Sequence, residues 1–104
     1  NPTKTTAKKR VDNYGAGFLR ANARAVFAEA TSSIGPTLKA LLTTDATVDQ
    51  IFMSHPAASG ARDFRFSSSR TPGYRAHMDP PKAGKYWRSV IGNLSLTAAQ
   101  VRGG

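Results

Sequence analysis

The stretch GAGFLRANARAVFAEATS, residues 15–32, decides how the chain folds, because the large apolar residues are concentrated from Phe18 onward to Phe66. Phe18, Leu19, Val26 and Phe27, with Ala23 and Ala30, recur at three- and four-residue intervals, which predicts one amphipathic helix from Gly15 to about Ser32. Asp12 or Asn13 is placed to cap its start, and Arg20 and Arg24 fall on one face. Gly35-Pro36 breaks the helix, and proline suits the first position of a second one, Pro36 to Leu42, whose Leu38, Leu41 and Leu42 would face the first. Thr44 or Asp45 would cap a third, short helix to about Met53, with Val48, Ile51 and Phe52 apolar and Asp49 favoured by the helix dipole.

Outward from this centre regular patterning fades. Residues 1–13 carry Lys4, Lys8, Lys9 and Arg10 with no apolar period, which predicts a basic arm that orders only on a partner. Residues 4–33 also have the Arg-, Ser- and Ala-rich, acid-poor composition of an organellar transit peptide. On the other side, Arg62 to Phe66 alternates as a short strand does if a neighbour pairs with it. Ser67 to Gly73 reads as a loop, Pro80-Pro81 as an extended polyproline-like segment, and residues 95–101 as a last helical turn or two capped by Ser95. The expected fold is mainly α: a knob of two or three short helices over residues 14–54, an irregular basic arm at 1–13, and an extended basic, aromatic and Pro-rich strap at 55–104.

With 104 residues there is room for one domain with a thin core, and no cysteine to staple it. Lys and Arg number 15 against 6 Asp and Glu, a net charge of +9. The excess is +5 in residues 1–24 and +6 in residues 54–104, with −2 between. Such a balance favours nucleic acid, an anionic membrane surface or an acidic protein. No apolar run approaches the roughly 20 residues of a membrane span. Catalytic chemistry is thinly provided for: His55 and His77 are the only neutral-pH bases, no paired carboxylates or cysteine accompany either, and Ser67 to Ser69 lack a base at a triad spacing. No Gly-Lys-Ser or Gly-Lys-Thr phosphate loop and no set of metal ligands is present. A non-enzymatic protein without cofactor or metal is expected.

Binding chemistry is concentrated between residues 62 and 88. Arg62, Arg65, Arg70, Arg75, Lys82, Lys85 and Arg88 are interleaved there with Phe64, Phe66, Tyr74, Tyr86 and Trp87. With Lys8, Lys9 and Arg10 of the arm, these cations could neutralise phosphates while rings stack on unpaired bases. The plainer alternative is that the rings pack on the core and the cations are solvated.

Within that segment, Pro72-Gly73-Tyr74-Arg75-Ala76-His77-Met78-Asp79-Pro80, followed by Gly84-Lys85-Tyr86, resembles the Pro-Gly-Tyr-x-Gly-His-x-Pro signature of some ciliary microtubule inner proteins, small basic polypeptides that thread along the luminal wall of axonemal doublets. It departs from that signature at Ala76, where the family has glycine, and by the additional Asp79 before Pro80. The resemblance implies that Tyr74 and His77 wedge between tubulin subunits while Pro72, Gly73 and Pro80 hold the strap in a fixed bend. The leading expectation is therefore a structural accessory protein of a large polyanionic assembly, the axonemal doublet of a cilium or flagellum, with tubulin and neighbouring inner proteins as partners. The alternatives are an RNA-binding protein of an organellar ribosome, for example in the mitochondrion, and a small supernumerary subunit of an organellar membrane complex.

Overall fold

The 15–32 stretch is divided between a helix and a strand. In the computed structural model, which describes residues 3–20, 23–29, 35–82, 84–86 and 88–103, helix α1 spans Lys4–Arg20 and strand β1 spans Ala25–Glu29. Helices α2 (Gly35–Thr43) and α3 (Val48–Ser54) follow, then strands β2 (Phe64–Ser67), β3 (Arg75–Met78) and β4 (Arg88–Gly92), and a closing helix α4 (Ala98–Arg102). The four strands form one antiparallel sheet in the order β1-β4-β3-β2. The mainly α expectation is thereby corrected to an α/β fold: the residues read as a basic arm begin a 17-residue helix, and the residues read as a strap supply three of the four strands. The radius of gyration is 12.9 Å, against about 13 Å for a compact domain of 100 residues, so no long arm projects. The Ala30–Ser32 end of the expected helix, and Trp87, lie outside the described residues.

Helix α1 escaped the apolar pattern because its inward stripe is made of small residues. Ala7, Gly15, Ala16 and Leu19 are buried, with Val11 half-buried, at the four-residue spacing of one helix face. Small side chains carry little hydropathy, yet they let a helix lie close on a sheet: a Cβ on Gly15 would collide with Ile91 Cγ2 of β4. Residues 25–29 meet the opposite outcome. Their intrinsic preferences suit a helix, but β4 offers a paired register from Ala25↔Gly92 to Glu29↔Arg88, and tertiary pairing overrides local preference for so short a segment.

Two apolar clusters lie on opposite sides of the sheet. Ile91 and Ala76 pack with Leu19 of α1, and Val11, Val26, Phe66 and Tyr74 border them. Val90, one residue from Ile91, packs with Val48 and Phe52 of α3 and with Leu94, as strand alternation requires. The sheet is thus sandwiched between α1 on one face and α3 on the other, with α2 packing on α3 and α4. Leu38 and Leu42 remain exposed instead of facing the first helix.

The first half of α1 runs alongside β2 in register. Lys4 Nζ sits 4.1 Å from the Phe64 ring centroid and Lys8 Nζ 5.2 Å from that of Phe66, and Asp12 meets Ser68. Four helical residues rise roughly 6 Å and two strand residues roughly 6.6 Å, so the two series stay matched. Asp12 is not a helix cap. Its buried carboxylate accepts the Ser68 hydroxyl and the backbone N–H groups of Ser69, at 3.0 Å, and Arg70, at 3.2 Å. That clamp holds the β2–β3 loop, whose Pro72-Gly73 pair forms a turn closed by Tyr74 N donating to Thr71 O at 3.2 Å. Gly73, with φ of 92°, occupies the position of such a turn that other residues resist.

Helix α3 is capped by Thr47, not Thr44 or Asp45, in a reciprocal box with Gln50, and α4 by Thr97, not Ser95, in the same arrangement with Gln100. The two caps lie side by side as an antiparallel bridge, Thr47↔Thr97. Val48 and Asp49 N–H groups donate to Leu96 and Leu94 carbonyls at 2.8 and 3.0 Å, so the segment after β4 satisfies the start of α3.

Candidate nucleic-acid interface

Three of the residues expected on the partner-binding surface belong to the interior. His77, Pro80 and Arg88 are buried, because β3 and β4 are the central strands of the sheet and the face bearing His77 and Arg88 lies under α3. Arg88 donates to Asp79 Oδ2 at 2.9 Å and to the carbonyl of Phe52, near the C-terminus of α3, at 2.7 Å, while its guanidinium lies 4.1 Å from the Phe52 ring centroid. Asp79 also accepts Ser59 and Gly60 N–H groups, each at 2.8 Å. Burial by itself pushes the Asp79 carboxyl up, but those two N–H groups and Arg88 more than offset it and hold the group below the usual carboxylate value.

His77 stands between two carboxylates. Nδ1 is 2.6 Å from Asp49 Oδ1 and Nε2 is 2.8 Å from Asp63 Oδ2, and the other oxygen of Asp49 accepts from Arg65 at 2.7 Å. A ring nitrogen that carries a proton donates to the carboxylate it faces. This chain ties α3, the β2 approach and β3 together, and His77 has no open face from which to reach a partner or a substrate. Burial raises the Asp49 carboxyl, and the hydrogen bonds and charges of Arg65 and His77 bring it below its ordinary value.

Carboxyls held low in the folded state stabilise it fully above their unfolded value, and that stabilisation is lost as pH falls through the folded one. The urea midpoint of the protein is therefore expected to hold between pH 5 and 7 and to drop below about pH 4 as Asp49 and Asp79 take up protons. Urea titrations at pH 7, 5, 4 and 3 followed by circular dichroism check this; an unchanged midpoint at pH 3 would contradict it.

The remaining charge is sorted by sign. Asp12, Asp49, Asp63 and Asp79 all face donors within the protein. Every Lys and Arg except buried Arg88 and half-buried Lys8 and Lys85 is exposed. Of the expected binding residues, Lys9, Arg10, Arg62, Arg65, Arg70, Pro72, Gly73, Arg75 and Lys82 lie on this surface, whereas Phe66 and Tyr74 border the core as the plainer alternative has it.

Five of the cations line depressions of the surface. Arg65, Gly73 and Arg75 line a cleft of 370 Å³ on the α3 side, with Asp49, Asn93 and Ser95. Lys8 and Lys9 border one of 220 Å³ beside Asp12 and Ser69. The largest, 670 Å³, lies between α1 and the β1–β4 half of the sheet. Its floor is Val26 and Ala28 of β1 with Ser89 and Ile91 of β4, and Arg10, Asn13, Tyr14 and Tyr86 stand around it. Helix α1 starts beside β2 and packs on β4 and β1 further along, and the groove opens beside its Arg10, Val11, Asn13 and Tyr14.

Sequence patterning missed Asn13, Tyr14 and Phe18 as surface residues. Tyr14 is 61% exposed and Phe18 49% exposed, with ring centroids 5.3 Å apart. Arg10, Tyr14 and Phe18 are successive i, i+4 positions, so the stripe becomes visible once the helix is started at residue 4. Among the described residues no group of three or more His, Asp or Glu could hold a metal ion, and no helix is long and apolar enough to cross a membrane. No family model, curated protein or solved structure matches the chain.

Proposed function

We propose that this protein is an RNA-binding module, a subunit that docks on folded or single-stranded RNA within a larger assembly such as an organellar ribosome. The observation that carries it is the sorting of charge: four carboxylates are spent on internal donors, so a net charge of +9 is delivered almost entirely as exposed Lys and Arg. A surface of that kind binds a polyphosphate by displacing its counterions, at little desolvation cost to either side. Exposed aromatic residues beside the cations on α1 suit unpaired bases, which duplex-only binders do not need.

The doublet-wall alternative drew on a bent strap with His77 and Pro80 at its contact surface. Both residues are buried, and Pro72-Gly73-Tyr74 is the turn of the β2–β3 hairpin. An acidic filament answers to the same charge, so the test includes it. Fluorescence anisotropy with a labelled single-stranded RNA is expected to show affinity falling about 100-fold between 50 and 200 mM salt if about five phosphates are neutralised. Arg62→Gln and Lys82→Gln should each lower affinity and make the salt slope shallower. Failure to bind RNA at 50 mM salt, with retention on stabilised microtubules in a parallel cosedimentation, would overturn this function in favour of a filament partner.

A further inference from the structure

Resting on that RNA-binding function, we infer that the groove between α1 and the β1–β4 half of the sheet is a nucleobase pocket, which receives one or two unpaired bases of a single strand while cations at its rim hold the flanking phosphates.

Four features favour this groove over the other depressions. Its volume, 670 Å³, lies within the roughly 300–1,000 Å³ of small-ligand clefts. Half-buried Val26 and Ala28 give it an apolar floor on a sheet, with buried Ile91 beneath, onto which a base can pack. Tyr14 and Tyr86 both line it and supply rings, the second braced edge-on by Phe64 at 6.4 Å between centroids. Lastly, its polar side chains are unspent: among the described residues Arg10, Asn13, Tyr14, Tyr86 and Ser89 make no side-chain hydrogen bond within the protein.

The cleft around Arg65 and Arg75 differs on that last point. There Arg65 is paired with Asp49, Ser95 donates to Asn93, and Thr47 is committed to Gln50, so most of its polar lining is already satisfied. In the groove the Asn13 amide can donate to and accept from the edge of a base, the Ser89 hydroxyl lies in the floor, and Arg10 provides either a phosphate contact or a guanidinium plane. Charge complementarity and aromatic walls together select a single-stranded polyanion carrying flat rings. Duplex RNA has the charge but keeps its bases stacked away from such a groove.

The test compares a labelled 12-nucleotide single strand with a hairpin stem of equal charge, using the full chain and its Tyr14→Ala, Tyr86→Ala and Lys82→Gln variants, each first verified as folded by urea unfolding. Tyr14→Ala and Tyr86→Ala are expected to weaken single-strand binding about 10-fold each and to leave hairpin binding and the salt slope unchanged. Lys82→Gln is expected to weaken both ligands alike. A 2-aminopurine placed inside the strand should be quenched by the unaltered protein and less so by Tyr14→Ala, which touches little of the core and so keeps the test open if Tyr86→Ala does not fold. Equal losses on both ligands, or tyrosine variants that bind the single strand like the parent, would overturn the pocket while leaving the RNA-binding function standing. Absence of binding to either RNA would overturn both.

Discussion

Replacing Asp79 by alanine is expected to remove about 3–5 kcal/mol of folding stability, because the change strands a buried cation. Arg88 is 3% exposed and Asp79 not at all, so neither charge is compensated by water. Asp79 is also the acceptor for Ser59 and Gly60, which fixes the segment between α3 and β2. For a chain of this length the loss is a large part of a total of about 5–15 kcal/mol, and urea unfolding should show either a midpoint lowered by about a fifth or more or no cooperative transition. The double variant Asp79→Leu, Arg88→Met should regain part of the loss, since it removes both charges, though Ser59 and Gly60 N–H groups then lack their acceptor. A single variant as stable as the parent would mean that the pair is open to solvent and that β4 does not run beneath α3.

Gly92→Ala is expected to cost about 2–6 kcal/mol, summing backbone strain and overpacking. Gly92 has φ of 146°, and a Cβ there would lie 2.6 Å from Ala25 Cα and against the Arg24 carbonyl. The glycine is where β1 starts its pairing with β4 and where Asn93 N donates to Arg24 O at 2.9 Å. If residues 15–32 were one helix, Gly92 would have no neighbour there and alanine would be harmless. Thermal unfolding of Gly92→Ala is thus a direct test of the α/β fold, and an unchanged melting temperature would count against it. The same pairing supplies Val26, Ala28, Ser89 and Ile91 as one continuous floor, so the variant should also reduce single-strand RNA binding at temperatures where it is partly folded.

The link from charge to function runs through these internal pairs. A basic chain of 104 residues has few carboxylates to spend. Placing four of them on Arg88, His77, Arg65 and the Ser68–Arg70 loop stabilises the sheet and at the same time withdraws negative charge from the surface. Acidification should therefore weaken the fold while leaving the charge of the exposed Lys and Arg unchanged.

Some of this was legible without tertiary structure. Helix α2 at Gly35–Thr43 and α3 at Val48–Ser54 fall where the Gly-Pro break and the Val48, Ile51 and Phe52 spacing put them, because those signals are local. The Arg62–Phe66 alternation overlaps β2, and the positive charge follows from composition alone. Other features were not legible. The stripe Ala7, Val11, Gly15, Leu19 is nearly silent in hydropathy, since its small residues contribute closeness of approach and little apolar area. His77 and Arg88 sit among cations and aromatic residues in the sequence and give no sign that they bond to carboxylates 9 to 28 positions away.

By itself, then, the sequence determined what depends on near neighbours and on totals: the middle helices, the loop that ends at Pro72-Gly73 and a strong positive charge. Tertiary structure decided what depends on partners distant in the chain. Residues 25–29 became a strand because β4 presented a register to them, the basic residues from Lys4 onward became a helix because β2 offered rings and a loop at matching intervals, and the groove took its lining from α1, β1, β4 and Tyr86, which only the tertiary structure brings together. Each is a free-energy difference between long-range pairings, to which local spacing contributes almost nothing.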